Sequence, residues 1–171
     1  MKRIWQSDEP TASPAASRER PLRMGVVALP HMANFTDFDA LAAEPAVSLA
    51  FLDDPAQAAL ADALILPGSK QTLDDLIWLR EHGFADAVAT YRGLLIGICG
   101  GFQMLGLSID DPGGVESGGL PRTMSGLGQL PIRTIMRAEK GNFKWINQIG
   151  LLRRLLFARR FFKKRTAPSA Q

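Results

Sequence analysis

The 171-residue chain has one cysteine, two histidines and no acidic residue beyond position 140, and each scarcity narrows what it can be. A lone cysteine, Cys99, excludes an internal disulfide framework and fits a reducing, cytoplasmic setting. No apolar run reaches the roughly 18–20 residues of a membrane-spanning helix. The first ten residues, from Met1 to Pro10, lack an apolar core, so no secretory signal is expected. There is no Walker-A spacing, hence no expected ATP site, and no internal repeat. The net charge of +3 hides an asymmetry: eight basic residues lie beyond position 140, leaving twelve basic against seventeen acidic before it. The pI near 9.4 therefore belongs to the tail and is poor evidence that the domain binds nucleic acid.

What the chain does have is an ordinary globular balance, 46% hydrophobic and 22% charged, enough for one domain with a sizeable core. Residues 1–21, rich in Pro, Ser, Ala and charge, read as a flexible leader or linker. Short apolar runs follow at residues 24–29, 47–52, 63–66 and 93–98, and these are the expected strands. Between them lie helical stretches. Thr36 is placed to cap a short helix beginning near Asp37. Thr72, with Asp75 three residues later, has the spacing of a capping box for a helix whose apolar face includes Leu73, Leu76, Ile77 and Phe84. Strands alternating with helices imply parallel pairing with right-handed crossovers. The expected fold is α/β, a flavodoxin-like, doubly wound, mostly parallel sheet with its ligand site at the C-terminal ends of the strands.

The most informative segment is Gly93-Leu94-Leu95-Ile96-Gly97-Ile98-Cys99-Gly100-Gly101-Phe102-Gln103-Met104-Leu105-Gly106. Leu94 to Ile98 reads as a strand buried on both faces, with Cys99 at its end and a helix beginning after two glycines. So tight a strand-to-helix turn strains the backbone at its apex and projects the side chain from the sheet edge, as nucleophiles are mounted. The helix start would favour the thiolate, and the Gly100 N–H is placed to hold a developing oxyanion.

This turn resembles the nucleophile turn of class I glutamine amidotransferases, most nearly those of the cobyric acid synthase type. Three more stretches resemble that branch in order and spacing: residues 29–41 (Leu-Pro-His-Met-Ala-Asn-Phe-Thr-Asp-Phe-Asp-Ala-Leu), residues 61–70 (with Leu66-Pro67-Gly68-Ser69-Lys70) and Gly126-Leu127-Gly128-Gln129-Leu130-Pro131. The resemblance covers about residues 22–140, taken as the amidotransferase-like domain. It implies Cys99 as nucleophile, oxyanion and substrate contacts from Gly68, Ser69 and Gly100, and help from Gln103 in binding glutamine. It also implies that ammonia serves a partner synthetase domain, which amidates carboxylates of a corrinoid (cobyrinic acid diamide). ATP and Mg²⁺ are expected only in that domain, for which residues 1–21 are too short, and no cofactor is expected in this chain.

A cysteine amidotransferase needs a histidine base, which the family places downstream of the cysteine. Here His31 and His82 both precede Cys99, so the dyad is expected to be incomplete and the chain impaired. His82, late in its helix, suits a bond to that helix's C-terminal carbonyls, whereas His31 follows the first strand at the site edge. Resemblance ends near residue 140, and 141–171 becomes a basic, apolar-rich tail. As a helix it could lie on an anionic membrane or a nucleic acid. A reading-frame change that replaced the native C-terminus is the preferred account, so neither partner is expected. Two other readings stand beside the first: an amidotransferase subunit of a cell-wall ligase, and an inactive module that binds membrane or nucleic acid through its tail.

Overall fold

A computed structural model of the chain describes residues 20–137. The chain divides into two units, Met1–Glu139 and Lys140–Gln171, and only the first contains described residues. The expected leader, apart from Arg20 and Pro21, and the whole basic tail lie outside them.

Four parallel strands form the main sheet: β1 (Leu22–Val27), β2 (Val47–Leu52), β3 (Ala63–Leu66) and β4 (Leu94–Gly97), in the order β2-β1-β3-β4. The interior positions are apolar on both faces, as a helix-covered parallel sheet requires. Val26, Val27, Leu64, Ile65 and Leu66 are all fully buried. This is the expected α/β, flavodoxin-like arrangement. β2 and β3 occupy the expected residues, whereas β1 starts two residues early. Leu94–Ile98 is not buried on both faces: β4 pairs only with β3 among the described residues, and Leu94 is exposed. An edge strand and a central one share the same apolar composition, so the run alone does not separate them.

The connections carry α1 (Asp39–Ala43), α2 (Thr72–Glu81), α3 (Phe84–Thr90) and α4 (Gly100–Met104). The expected helix through Phe84 is two helices, because Gly83 turns the chain at φ 76°. Leu73, Leu76 and Leu79 of α2 and Phe84 and Val88 of α3 are buried in the core. Thr36 caps nothing. It lies in a 3-10 turn, Phe35–Phe38, led by Asn34 in the left-handed region at φ 49°. Among the described residues no helix is long and apolar enough to cross a membrane.

Beyond α4 comes a feature the sequence pattern did not announce, a three-stranded sheet of β5 (Ser108–Asp111), β6 (Arg122–Ser125) and β7 (Arg133–Ile135), with β5 central. It explains the stretch Gly126–Pro131. The N–H groups of Leu127, Gly128, Gln129 and Leu130 donate to the carbonyls of Met104, Gly106 and Leu105. That segment satisfies the acceptors left open at the end of α4. Gly126 is required there, since any Cβ would run into the Gly106 carbonyl.

Candidate functional site

Cys99 stands between β4 and α4 at φ 47° and ψ −112°, one of two non-glycine residues with positive φ among those described. A side chain there costs on the order of 1–3 kcal/mol of backbone strain, which the surroundings must impose. They do so on both sides of the residue. The Ile98 N–H donates to the Leu66 carbonyl at 3.0 Å, the Gly101 N–H to the Ile98 carbonyl at 2.8 Å, and the Gln103 N–H to the Cys99 carbonyl at 3.1 Å. The thiol is exposed, while Gly100 and Gly101 behind it are buried. The apex geometry expected from the strand–Cys-Gly-Gly–helix pattern is therefore present.

The loop after β3 lies against this turn. A Cβ on Gly68 would sit 3.8 Å from the Cys99 Cβ, and one on Gly100 would sit 3.1 Å from the Ser69 amide nitrogen. Gly68, Ser69, Cys99 and Gly100 thus share the C-terminal edge of the sheet. Gln103, half-buried, lies one helical turn behind Cys99 on α4. Residues 31–33 join the same edge: the Ala33 N–H donates to the Gly68 carbonyl at 2.8 Å and the Lys70 N–H to the His31 carbonyl at 2.9 Å.

The capping box expected of Thr72 and Asp75 does not form. Asp75 is fully buried and turns away from the helix start. Its carboxylate accepts the Ser69 hydroxyl at 2.5 Å, the His31 N–H at 3.2 Å and the His31 Nδ1 at 2.9 Å. The N-terminus of α2 is capped instead from far along the chain. The Glu116 carboxylate accepts the N–H groups of Thr72, at 2.5 Å, and Leu73, and the Thr72 hydroxyl. Local spacing could not reveal a cap supplied 44 residues away. Glu116→Ala is expected to lower stability by about 1–2 kcal/mol, read as a shift in the urea midpoint.

Glu116 is presented by a loop built on Asp111, a second residue that sequence reasoning passed over. Asp111 is fully buried and accepts the N–H groups of Val115 and Glu116 and the Ser117 hydroxyl. Burial pushes its carboxyl up, but the Val115 and Glu116 amides and the Ser117 hydroxyl and amide outweigh this and hold it below the usual carboxylate range. A carboxylate whose folded pKa is depressed stabilises fully above its unfolded value, near 4, and loses that stabilisation as pH falls through the folded value. Asp111→Asn is therefore expected to be less stable than the parent at pH 7. The gap should close below about pH 4, which denaturation midpoints across pH 2–7 would reveal. The only sequence signal was the cluster Asp110-Asp111-Pro112-Gly113-Gly114, a turn composition with a short acceptor at its start.

Neither histidine is idle. His82 places Nδ1 2.9 Å from the Trp78 carbonyl and stacks on the Trp78 ring at 4.5 Å, as its place late in α2 suggested. His31, with its side chain 47% exposed, is held through Nδ1 by Asp75.

The family of CobB/CobQ-like glutamine amidotransferase domains matches residues 23–151. A cobyric acid synthase from Synechococcus sp. (strain JA-2-3B'a(2-13)) is 45% identical over 137 residues, covering 80% of this chain and 27% of that protein. One from Syntrophobacter fumaroxidans is 48% identical over 125 residues, covering 71% and 24%. One from Photorhabdus laumondii is 50% identical over 125 residues, again 71% and 24%. The chain spans 24–27% of the length of these curated relatives.

Proposed function

Because the chain belongs to the CobB/CobQ-like glutamine amidotransferase family, we propose that it carries the glutamine-hydrolysing site of a cobyric acid synthase. In that reading it releases ammonia for the ATP-dependent amidation of corrinoid carboxylates in cobalamin biosynthesis. The observation that supports this best is Cys99 held exposed at φ 47° on the sheet edge, with Gly68 against it.

The Cys99 thiolate attacks the side-chain amide carbon of glutamine, and the carbonyl electron pair moves to oxygen. The N–H groups of Gly100 and of the Gly68-Ser69 loop hold that oxyanion, and Gln103 helps bind the substrate. The intermediate collapses, the C–N bond breaks and the nitrogen leaves as ammonia once protonated. Water then cleaves the thioester to glutamate and restores the thiol. Activation of the corrinoid carboxylate, with its ATP and Mg²⁺, belongs to a synthetase domain.

Proton transfer is the weak step, since both histidines in this chain precede Cys99, whereas the family places its base downstream. Acylation should therefore outlast turnover. A glutamine-like electrophile is expected to add one equivalent of mass at Cys99, lost in Cys99→Ser, with glutamate release at least 100-fold below that of an amidotransferase with a complete dyad, about the lower end of what a positioned base contributes. Labelling that persists in Cys99→Ser would overturn the site, and ordinary glutaminase turnover would overturn the impairment.

A further inference from the structure

We infer that Asp75 is a positioning residue for the oxyanion loop, an inference that rests on the reading of Cys99 as an amidotransferase nucleophile. Asp75 is the one charged side chain of α2 that is fully buried. It spends none of its acceptor capacity on the start of its own helix, which Glu116 serves instead. Its two oxygens reach two separate loops of the sheet edge. Oδ2 takes the Ser69 hydroxyl at 2.5 Å, and Oδ1 takes both the backbone N–H and Nδ1 of His31.

Those contacts fix the loop from both sides. The Ser69 hydroxyl, drawn down onto Asp75, also accepts the Gln71 N–H at 3.0 Å, which closes the turn over residues 69–71. His31 lies on the segment that pairs with the loop through the Ala33–Gly68 and Lys70–His31 bonds. The amide nitrogen and Cβ of Ser69 both lie against Gly100, 3.1 and 3.2 Å from where a Cβ on that glycine would stand. One buried carboxylate therefore sets the separation between the two backbone stretches that must grip a single oxygen. A misplacement of about 1 Å in such a pair is enough to lower a rate by around 100-fold.

The test compares two reagents on the full chain. A γ-chloroketone analogue of L-glutamine reacts by addition of the thiolate to the ketone carbon, with the electron pair moving to oxygen. The sulfur then displaces chloride from the neighbouring carbon while its bond to the former ketone carbon breaks and the carbonyl re-forms, which leaves a stable thioether and free chloride. Iodoacetamide alkylates the same sulfur by direct displacement of iodide, with no charge developing on an oxygen. In Asp75→Asn, which keeps the volume but loses one of two acceptors, the chloroketone rate should fall about 10- to 100-fold while the iodoacetamide rate stays within about twofold. Ser69→Ala, which removes only the hydroxyl on Asp75, should show the same selective loss, smaller in size. The double variant should lose less than the product of the two. Equal changes with both reagents, or an unchanged chloroketone rate in Ser69→Ala, would overturn the positioning role. Should the parent chain react no faster with the L-analogue than with its D-enantiomer, the amidotransferase reading fails first, and separately.

Discussion

Gly101→Ala is expected to destabilise the protein by about 3 kcal/mol, the upper range for forcing one methylene into a packed interior. Gly101 is buried at the second position of α4, and its amide already donates to the Ile98 carbonyl. A Cβ would clash with the Leu66 carbonyl oxygen and stand 2.6 Å from the Pro67 oxygen. Both neighbours are backbone, so no side chain can rotate aside. The Leu66 carbonyl cannot retreat either, because it accepts the Ile98 N–H that holds the end of β4 to β3. Relief must come from separating the turn that carries Cys99 from the loop that carries Gly68 and Ser69. The variant should therefore lose chloroketone labelling even in the fraction that remains folded. Gly113→Ala, where the nearest atom is an exposed Val115 methyl at 3.9 Å, should change stability by less than about 0.5 kcal/mol. Urea unfolding of both variants at unchanged slope would separate the cases. A Gly101→Ala midpoint equal to the parent's would mean that the two backbones do not approach so closely.

The same contact shows why parts of this site were legible in the chain and others were not. β2 and β3 could be read directly because short apolar runs between turn residues are what a covered parallel strand demands. The Cys99 turn could be read because a strand, a reactive residue and two glycines leave few other conformations. Edges and long-range partners leave no such mark. Leu94–Ile98 has the composition of a central strand, yet among the described residues β4 pairs on one side only, since pairing is decided by what comes beside it. Thr72 and Asp75 have the spacing of a local cap, yet Glu116 takes the helix start and Asp75 takes Ser69 and His31. A carboxylate goes to the strongest donors within reach, and once the chain is folded these need not be its neighbours in sequence. Gly126–Pro131 could be matched to a family but not explained until its amides met the open carbonyls of α4.

Cys99→Gly is expected to abolish labelling completely and yet to raise stability by about 1 kcal/mol. The two effects have one origin. At φ 47° and ψ −112° a Cβ is strained by on the order of 1–3 kcal/mol, while glycine enters that region freely. Against this relief stands the greater conformational freedom of glycine in the unfolded chain, roughly 0.5–1 kcal/mol. The thiol is exposed, so its removal opens no cavity. Cys99→Ala separates the contributions, because alanine loses the sulfur but keeps the Cβ and hence the strain. It should unfold at the parent's urea concentration while Cys99→Gly unfolds later, with neither taking up the chloroketone. Equal midpoints for all three chains would show that the apex is not strained. A gain shared by alanine and glycine would place the destabilisation in the sulfur and not in the backbone. The expected split, with glycine alone gaining, would mean that stability is sacrificed at position 99 to hold the proposed nucleophile clear of the sheet edge, since nothing else about an exposed cysteine there requires a side chain.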